Sequence, residues 1–257
     1  MSTQQTQLTD ERIVKVLSLL KNTDGVELKV TVPDADRYSA VLELDLDVLD
    51  CELRQAVFFD TPDLQLSRAG VVVRARRARK GGDSVVKLRP VVPAKLPRRL
   101  RRTHGFTIEL DAMPAAFVCS GSLKERVDTS DVKEVLHGQR SIRKLFSREQ
   151  RAFYAEYAPE GLDLDALTPF GPINIAKTKF ELDEAIGREA VAELWFYPDG
   201  TRILELSMKC APDEAFQLAV AMRAALTRRG ITLTGEQQTK TRKALQYFSR
   251  LHGNNRH

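Results

Sequence analysis

Four cations stand at alternate positions in one short stretch: Arg74 and Arg76, then Lys87 and Arg89. In the first run Val71, Val73 and Ala75 share one side of an extended strand. Val72, Arg74 and Arg76 share the other, because side chains alternate along a strand. Gly81-Gly82 turns the chain, and Val86 and Leu88 then oppose Val85, Lys87 and Arg89. A hairpin with one apolar face and one face of Arg and Lys suits a polyanion. Arginine adds a planar fork that matches two phosphate oxygens.

The same alternation of charge recurs elsewhere, at Glu27/Lys29, Lys177/Lys179/Glu181 and Glu205/Lys209. Strands are expected at Val26–Val32, Glu52–Phe59, the basic pair, Phe106–Asp111, Arg148–Tyr157, Ile175–Leu182, Ala190–Tyr197 and Ile203–Lys209. Helices are expected from Thr9-Asp10 to Leu20, from Pro33-Asp34 to Leu44, at Asp213–Arg229 and at Glu236–Leu251. Residues 114–146 read as mostly helical, most clearly at Thr129–Leu136. Many alternating strands with helices near the ends predict an α+β fold, an antiparallel eight-stranded β-barrel with flanking helices. A barrel of about eight strands can enclose side chains or one small ligand. If the charged faces point inward, the interior is a charged tunnel.

Composition sets the outer bounds. The 257 residues carry 40 Lys+Arg against 35 Asp+Glu, a net charge of +5 that does not by itself argue for nucleic acid. Cys51, Cys119 and Cys210 are far apart, which disfavours a disulfide framework or structural zinc and points to a reducing, cytoplasmic setting. No apolar run approaches membrane-spanning length, so no membrane partner is expected. The basic run Lys95–Arg102 lacks interleaved aromatics, so a nucleic acid partner is not expected either. No nucleophile–base arrangement or P-loop is present.

Taken in order, VELK at 26–29, FFDTPDLQLSRAG at 58–70, the RAR of Arg74–Arg76, KLRP at 87–90, ELSMK at 205–209 and TKTRKAL at 239–245 resemble the landmarks of the CYTH domain. This is the triphosphate tunnel metalloenzyme superfamily, and the resemblance runs from about residue 25 to 248. It implies a tunnel domain over 25–251, with residues 1–24 as an N-terminal helical extension. It also implies a triphosphate, polyphosphate or nucleotide ligand and divalent-metal-dependent hydrolysis of a triphosphate. Alternatives are a degenerate tunnel that binds without turnover, or an adenylyl cyclase.

Carried onto this chain, the resemblance makes Arg74, Arg76, Lys87, Arg89, Arg148, Lys179 and Lys240 candidate anion contacts. Lys29 becomes a candidate for catalytic positioning, and Glu27 and Glu205 candidate ligands of Mg²⁺ or Mn²⁺. Arg77 and Arg79 read as solvated. The chain departs from the family where acids are usual, at Gly25 and Ser207. Asp24, Glu109, Asp111 and Glu181 are the available substitutes, Asp24 only if Gly25 forms a bulge that swings it inward.

Overall fold

The computed structural model describes residues 10–114, 116–231 and 240–254. Its strands are β1 (Gly25–Val32), β2 (Glu52–Asp60), β3 (Val71–Ala78), β4 (Gly81–Leu88), β5 (Phe106–Met113), β6 (Ala116–Val127), β7 (Thr168–Glu181), β8 (Glu189–Phe196) and β9 (Arg202–Cys210). They close into one barrel in the order β1-β5-β6-β4-β3-β2-β7-β8-β9, with β9 returning to β1. Every pairing is antiparallel except β1 with β5. The helices are α1 (Asp10–Leu20), α2 (Arg37–Glu43), α3 (Gln65–Arg68), α4 (Arg98–Arg101), α5 (Thr129–Leu136), α6 (Arg148–Tyr157), α7 (Ala215–Arg228) and α8 (Lys240–Asn254).

The barrel is greasy outside and charged inside. In β1, Val26, Leu28, Val30 and Val32 are buried in an outer core with Val16 and Leu20 of α1 and Leu218, Met222 and Ala225 of α7. On another face Val71, Val73, Ala75, Val86 and Leu88 pack with Val132 and Val135 of α5 and Phe153 and Tyr154 of α6. Burying each large apolar side chain stabilises the fold by about 1.5–3 kcal/mol, so the outer wall is where the helices must sit. Strand alternation then leaves Glu27, Lys29, Arg74, Arg76, Lys87 and Glu205 facing the lumen. A third core closes one end: the inward Ala56, Phe58, Trp195 and Ile203 pack with Ala244, Leu245 and Phe248 of α8.

Three sequence expectations change. The barrel has nine strands among the described residues, not eight, and it is mixed rather than wholly antiparallel. The additional strand, β6, lies inside the segment expected to be mostly helical. Its alternation is blurred by Cys119-Ser120-Gly121-Ser122, small residues that suit a crowded crossing. A Cβ on Gly121 would come within 2.7 Å of the Phe106 ring. The expected strand at Arg148–Tyr157 is the helix α6. Ser147 and Gln150 form a capping box, and Gln150, Phe153 and Tyr154 fall on one buried helical face. The last helix is described from Lys240, so its expected start at Glu236 lies outside the described residues.

Candidate functional site

Register carries most of the expected residues into the lumen. Arg76 lies opposite Asp83 on β4 and Arg74 opposite Val85. Lys87 lies opposite Ser122 on β6, and Glu27 beside Asp111 on β5. Glu193 and Glu205 face each other across β8 and β9.

Two facing pairs of carboxylates organise the interior, each bridged by a single ammonium group. Lys29 Nζ lies 3.0 Å from Glu27 and 2.8 Å from Asp111. Lys240, entering from α8, bridges Glu193 and Glu205, at 2.7 Å from the latter, with the Trp195 ring centroid 4.9 Å away. Asp111 is fully buried, and Arg89 approaches it at 2.9 Å. Both Asp111 oxygens are held in ion pairs rather than in aligned hydrogen bonds.

These contacts set the protonation states. Burial would raise the Asp111 carboxyl, but Lys29, Lys87 and Arg89 bring it down to about 2. Glu193 is likewise brought down to about 2, with burial opposed by Lys240 and by the Trp195 N–H. Burial alone would lower Lys29; Glu27, Asp111 and Glu205 outweigh it and push the ammonium up. Lys87 behaves oppositely. Burial, with Lys29 and Arg89 close by, lowers it to about 8, since Asp111 lies only at the edge of contact, 4.0 Å away.

Arg74 is also poorly compensated. Its Nε is buried without a hydrogen-bond partner, and its nearest carboxylate, Asp83, is 3.9 Å away. Burial and the neighbouring Arg76 lower its guanidinium to about 10. Asp83 is already engaged by Arg76 through three hydrogen bonds of 2.9–3.1 Å. A cavity of about 750 Å³ lies against Arg54, Arg76, Asp83, Lys124 and Arg126.

Not every expected residue joins this constellation. Arg148 is exposed in the first turn of α6, a helix fixed to the outer wall by Gln150 hydrogen bonds to Ser84 and Leu123. It therefore does not reach the lumen. Lys179 is exposed at the rim and paired with Glu189 at 2.8 Å. Its neighbour Lys177 is the half-buried one, close enough to Arg54, Glu193 and Arg76 for their charges to act on it. Asp24 does not swing inward: its carboxylate accepts the Ile108 N–H at 2.7 Å, clamping β1 to β5. Glu181 is exposed at the end of β7, whereas Glu109 is held by Lys209 at 2.6 Å.

Among the residues missed are Asp83, Lys124 and Glu193. Asp83 was hidden as part of the Gly81-Gly82 turn, although its parity with Val85 and Lys87 marks it as lumenal. Lys124 sits in the unrecognised β6. Glu193 shares its face with Val191 and Trp195, so within the expected strand Ala190–Tyr197 it stands as a single charge on an otherwise apolar side.

A divalent metal suits this donor set poorly. Glu27 lies opposite Lys209 and Glu205 opposite Thr31, which places the two expected ligands four residues apart in the ladder. That is roughly 13 Å along the strands. Gly25 and Ser207 contribute no carboxylate. Among the described residues no group of three His, Cys, Asp or Glu side chains is placed to hold a metal ion.

No family model matches the sequence, and no curated protein does. Solved structures do. One is a candidate adenylyl cyclase from Hippeastrum with a dominant triphosphatase activity. It is 15% identical with a TM-score of 0.62, over 84% of this chain and 92% of that one. Another is a candidate adenylate cyclase from Bacillus halodurans, 14% identical with a TM-score of 0.58, over 85% of this chain and 96% of that one. At such identity the likeness establishes the fold, and it is the tunnel fold that the motifs implied. Among the described residues no helix is long and apolar enough to cross a membrane.

Proposed function

We propose that this chain, which has the fold of the CYTH-type triphosphate tunnel proteins, binds a linear triphosphate-containing anion in its lumen and hydrolyses its end phosphoryl group. The observation that carries the reading is Arg74: a half-buried guanidinium facing the lumen, its buried Nε without a partner and its nearest acid already held by Arg76. A half-buried cation with an unpartnered buried donor is unfavourable until an anion arrives. Arg76, Lys87 and Lys124 line the same lumen, so phosphate oxygens would meet several donors at once.

In this reading Arg74 and Arg76 grip the phosphate chain through paired N–H donors. Lys87 adds a third charge, and Lys29 orients the reacting end. The protein's contribution is position and charge stabilisation, which is most of what phosphoryl transfer asks of an enzyme. Water is the acceptor, and no step is assigned to a divalent metal. The triphosphatase activity of the Hippeastrum protein supports hydrolysis as the reaction class. Nothing in this chain selects cyclisation.

A second reading, binding without turnover, is favoured by the same interior. Among the described residues Glu27, Asp111, Glu193 and Glu205 are each engaged by a protein cation, so none of these four is left unpaired to orient water. Incubation with tripolyphosphate, reading phosphate release and thermal shift together, separates the two. Stabilisation with release supports hydrolysis; stabilisation without release supports the binder. No stabilisation at all overturns both.

A further inference from the structure

The two lysine-bridged carboxylate pairs go beyond the binding assignment, on which this inference rests. In each, an ammonium lies between carboxylates on neighbouring strands: Lys29 between Glu27 and Asp111, and Lys240 between Glu193 and Glu205. A divalent cation binding to such paired oxygens would do the same bridging. We propose that these internal ammonium groups take the place of a divalent metal, so that the tunnel binds tripolyphosphate in its metal-free form.

The energetics favour the lysines. For Mg²⁺ to enter between Glu27 and Asp111, Lys29 would have to leave both carboxylates while remaining inside the barrel. A buried charge stripped of its partners is strongly unfavourable. Mg²⁺ would also have to shed tightly held water and find near-octahedral oxygen ligands. The positions that could enlarge the acidic set are Gly25 and Ser207, and Lys209 adds further positive charge by acting on Glu27 and holding Glu109. Arg74, Lys87 and Lys124, whose nearest carboxylates lie 3.7–4.0 Å away, are then available to the charge of an uncomplexed triphosphate. Gly25 is not forced by packing, because a Cβ there would meet only the Cys210 carbonyl oxygen, at 3.8 Å.

The test uses the full chain, tripolyphosphate and Mn²⁺. Thermal stabilisation and calorimetric affinity are measured in EDTA and in excess Mg²⁺, and binding of Mn²⁺ alone is followed by electron paramagnetic resonance. The expected result is stabilisation in EDTA, with affinity no more than about tenfold weaker than in Mg²⁺, and no stoichiometric Mn²⁺ site. Tripolyphosphate binding that is absent in EDTA and restored by Mg²⁺ overturns the inference while leaving the tunnel reading standing. So does a one-to-one Mn²⁺ site that is lost in Glu27→Gln. Absence of binding under both conditions overturns the tunnel reading itself, and this inference with it. As a control with its own readout, Gly25→Glu/Ser207→Glu is expected to gain Mn²⁺ binding. A variant that folds with the wild-type circular dichroism spectrum yet gains none argues that the vacant acid positions are not what exclude the metal, and overturns that part.

Discussion

Lys240 Nζ lies 2.7 Å from Glu205 Oε1, joining the C-terminal helix α8 to the interior of the barrel. The same ammonium holds Glu193, so a single side chain both ties α8 to the barrel and bridges two facing acids. Lys240→Met would leave Glu193 and Glu205 opposed and buried without a cation. Breaking a buried pair in this way costs about 3–5 kcal/mol. Denaturant unfolding at pH 7 is expected to show that loss. The sign with pH follows from Glu193, whose carboxyl is held at about 2 in the folded protein. In the wild type its stabilisation is complete above the ordinary glutamate range and disappears as pH falls toward 2. In Lys240→Met the deficit is expected to shrink on acidification, as Glu193 takes up a proton.

Arg74→Ala is expected to weaken tripolyphosphate binding by about tenfold to a hundredfold, the range of one charged hydrogen-bonding group at 1.5–3 kcal/mol. Arg148→Ala, on the outer face of α6, is expected to leave affinity unchanged. Calorimetry on both variants checks the lumenal assignment. Equal affinities for Arg74→Ala and wild type would reject it.

Lys87 gives the binding reaction a pH signature. Burial and its cationic neighbours lower it to about 8, so free protein is partly deprotonated there above that pH. A bound polyanion favours the charged form and pulls a proton back. Binding at pH 8.5 is therefore expected to take up protons, seen as a calorimetric enthalpy that varies with buffer ionisation enthalpy. Lys87→Arg should abolish the variation. For stability the sign is opposite to that of a lysine gaining a partner. The unfolded chain binds this proton more tightly, so Lys87 destabilises the fold below pH 8, and that penalty is relieved as pH rises from about 8 toward the ordinary lysine range.

Asp111→Asn tests the central ion cluster. The substitution preserves shape but removes the charge that compensates Lys29 and Arg89. A loss of about 3–5 kcal/mol at pH 7 is expected. Because the carboxyl is held at about 2, the wild-type advantage should fade only as pH drops from the ordinary aspartate range toward 2. Thermal unfolding between pH 2 and 7 measures this.

Much of the lumen was readable because strand parity is a local property. Val73 against Arg74, or Leu28 against Lys29, assigns each side chain to a face without any knowledge of the partner strand. The same rule failed at Arg148–Tyr157. There a polar, aromatic-containing run satisfied a loose alternation, while the capping box at Ser147 and Gln150 and the spacing of Gln150, Phe153 and Tyr154 belonged to a helix. It also failed at β6, where small residues face both sides and carry little periodic signal.

Local chemistry in the chain thus specified the hairpin, its two faces, the resemblance to a phosphate-gripping fold and the thinning of the acidic set at Gly25 and Ser207. Tertiary structure alone decided which charges meet. Glu193 and Lys240 are far apart in sequence, as are Lys29 and Asp111, and only barrel closure with the seating of α8 brings them together. Parity says which way a side chain points. The charge opposite it is set by long-range register, because each ion pair forms between elements whose alignment is determined by the packing of the whole barrel.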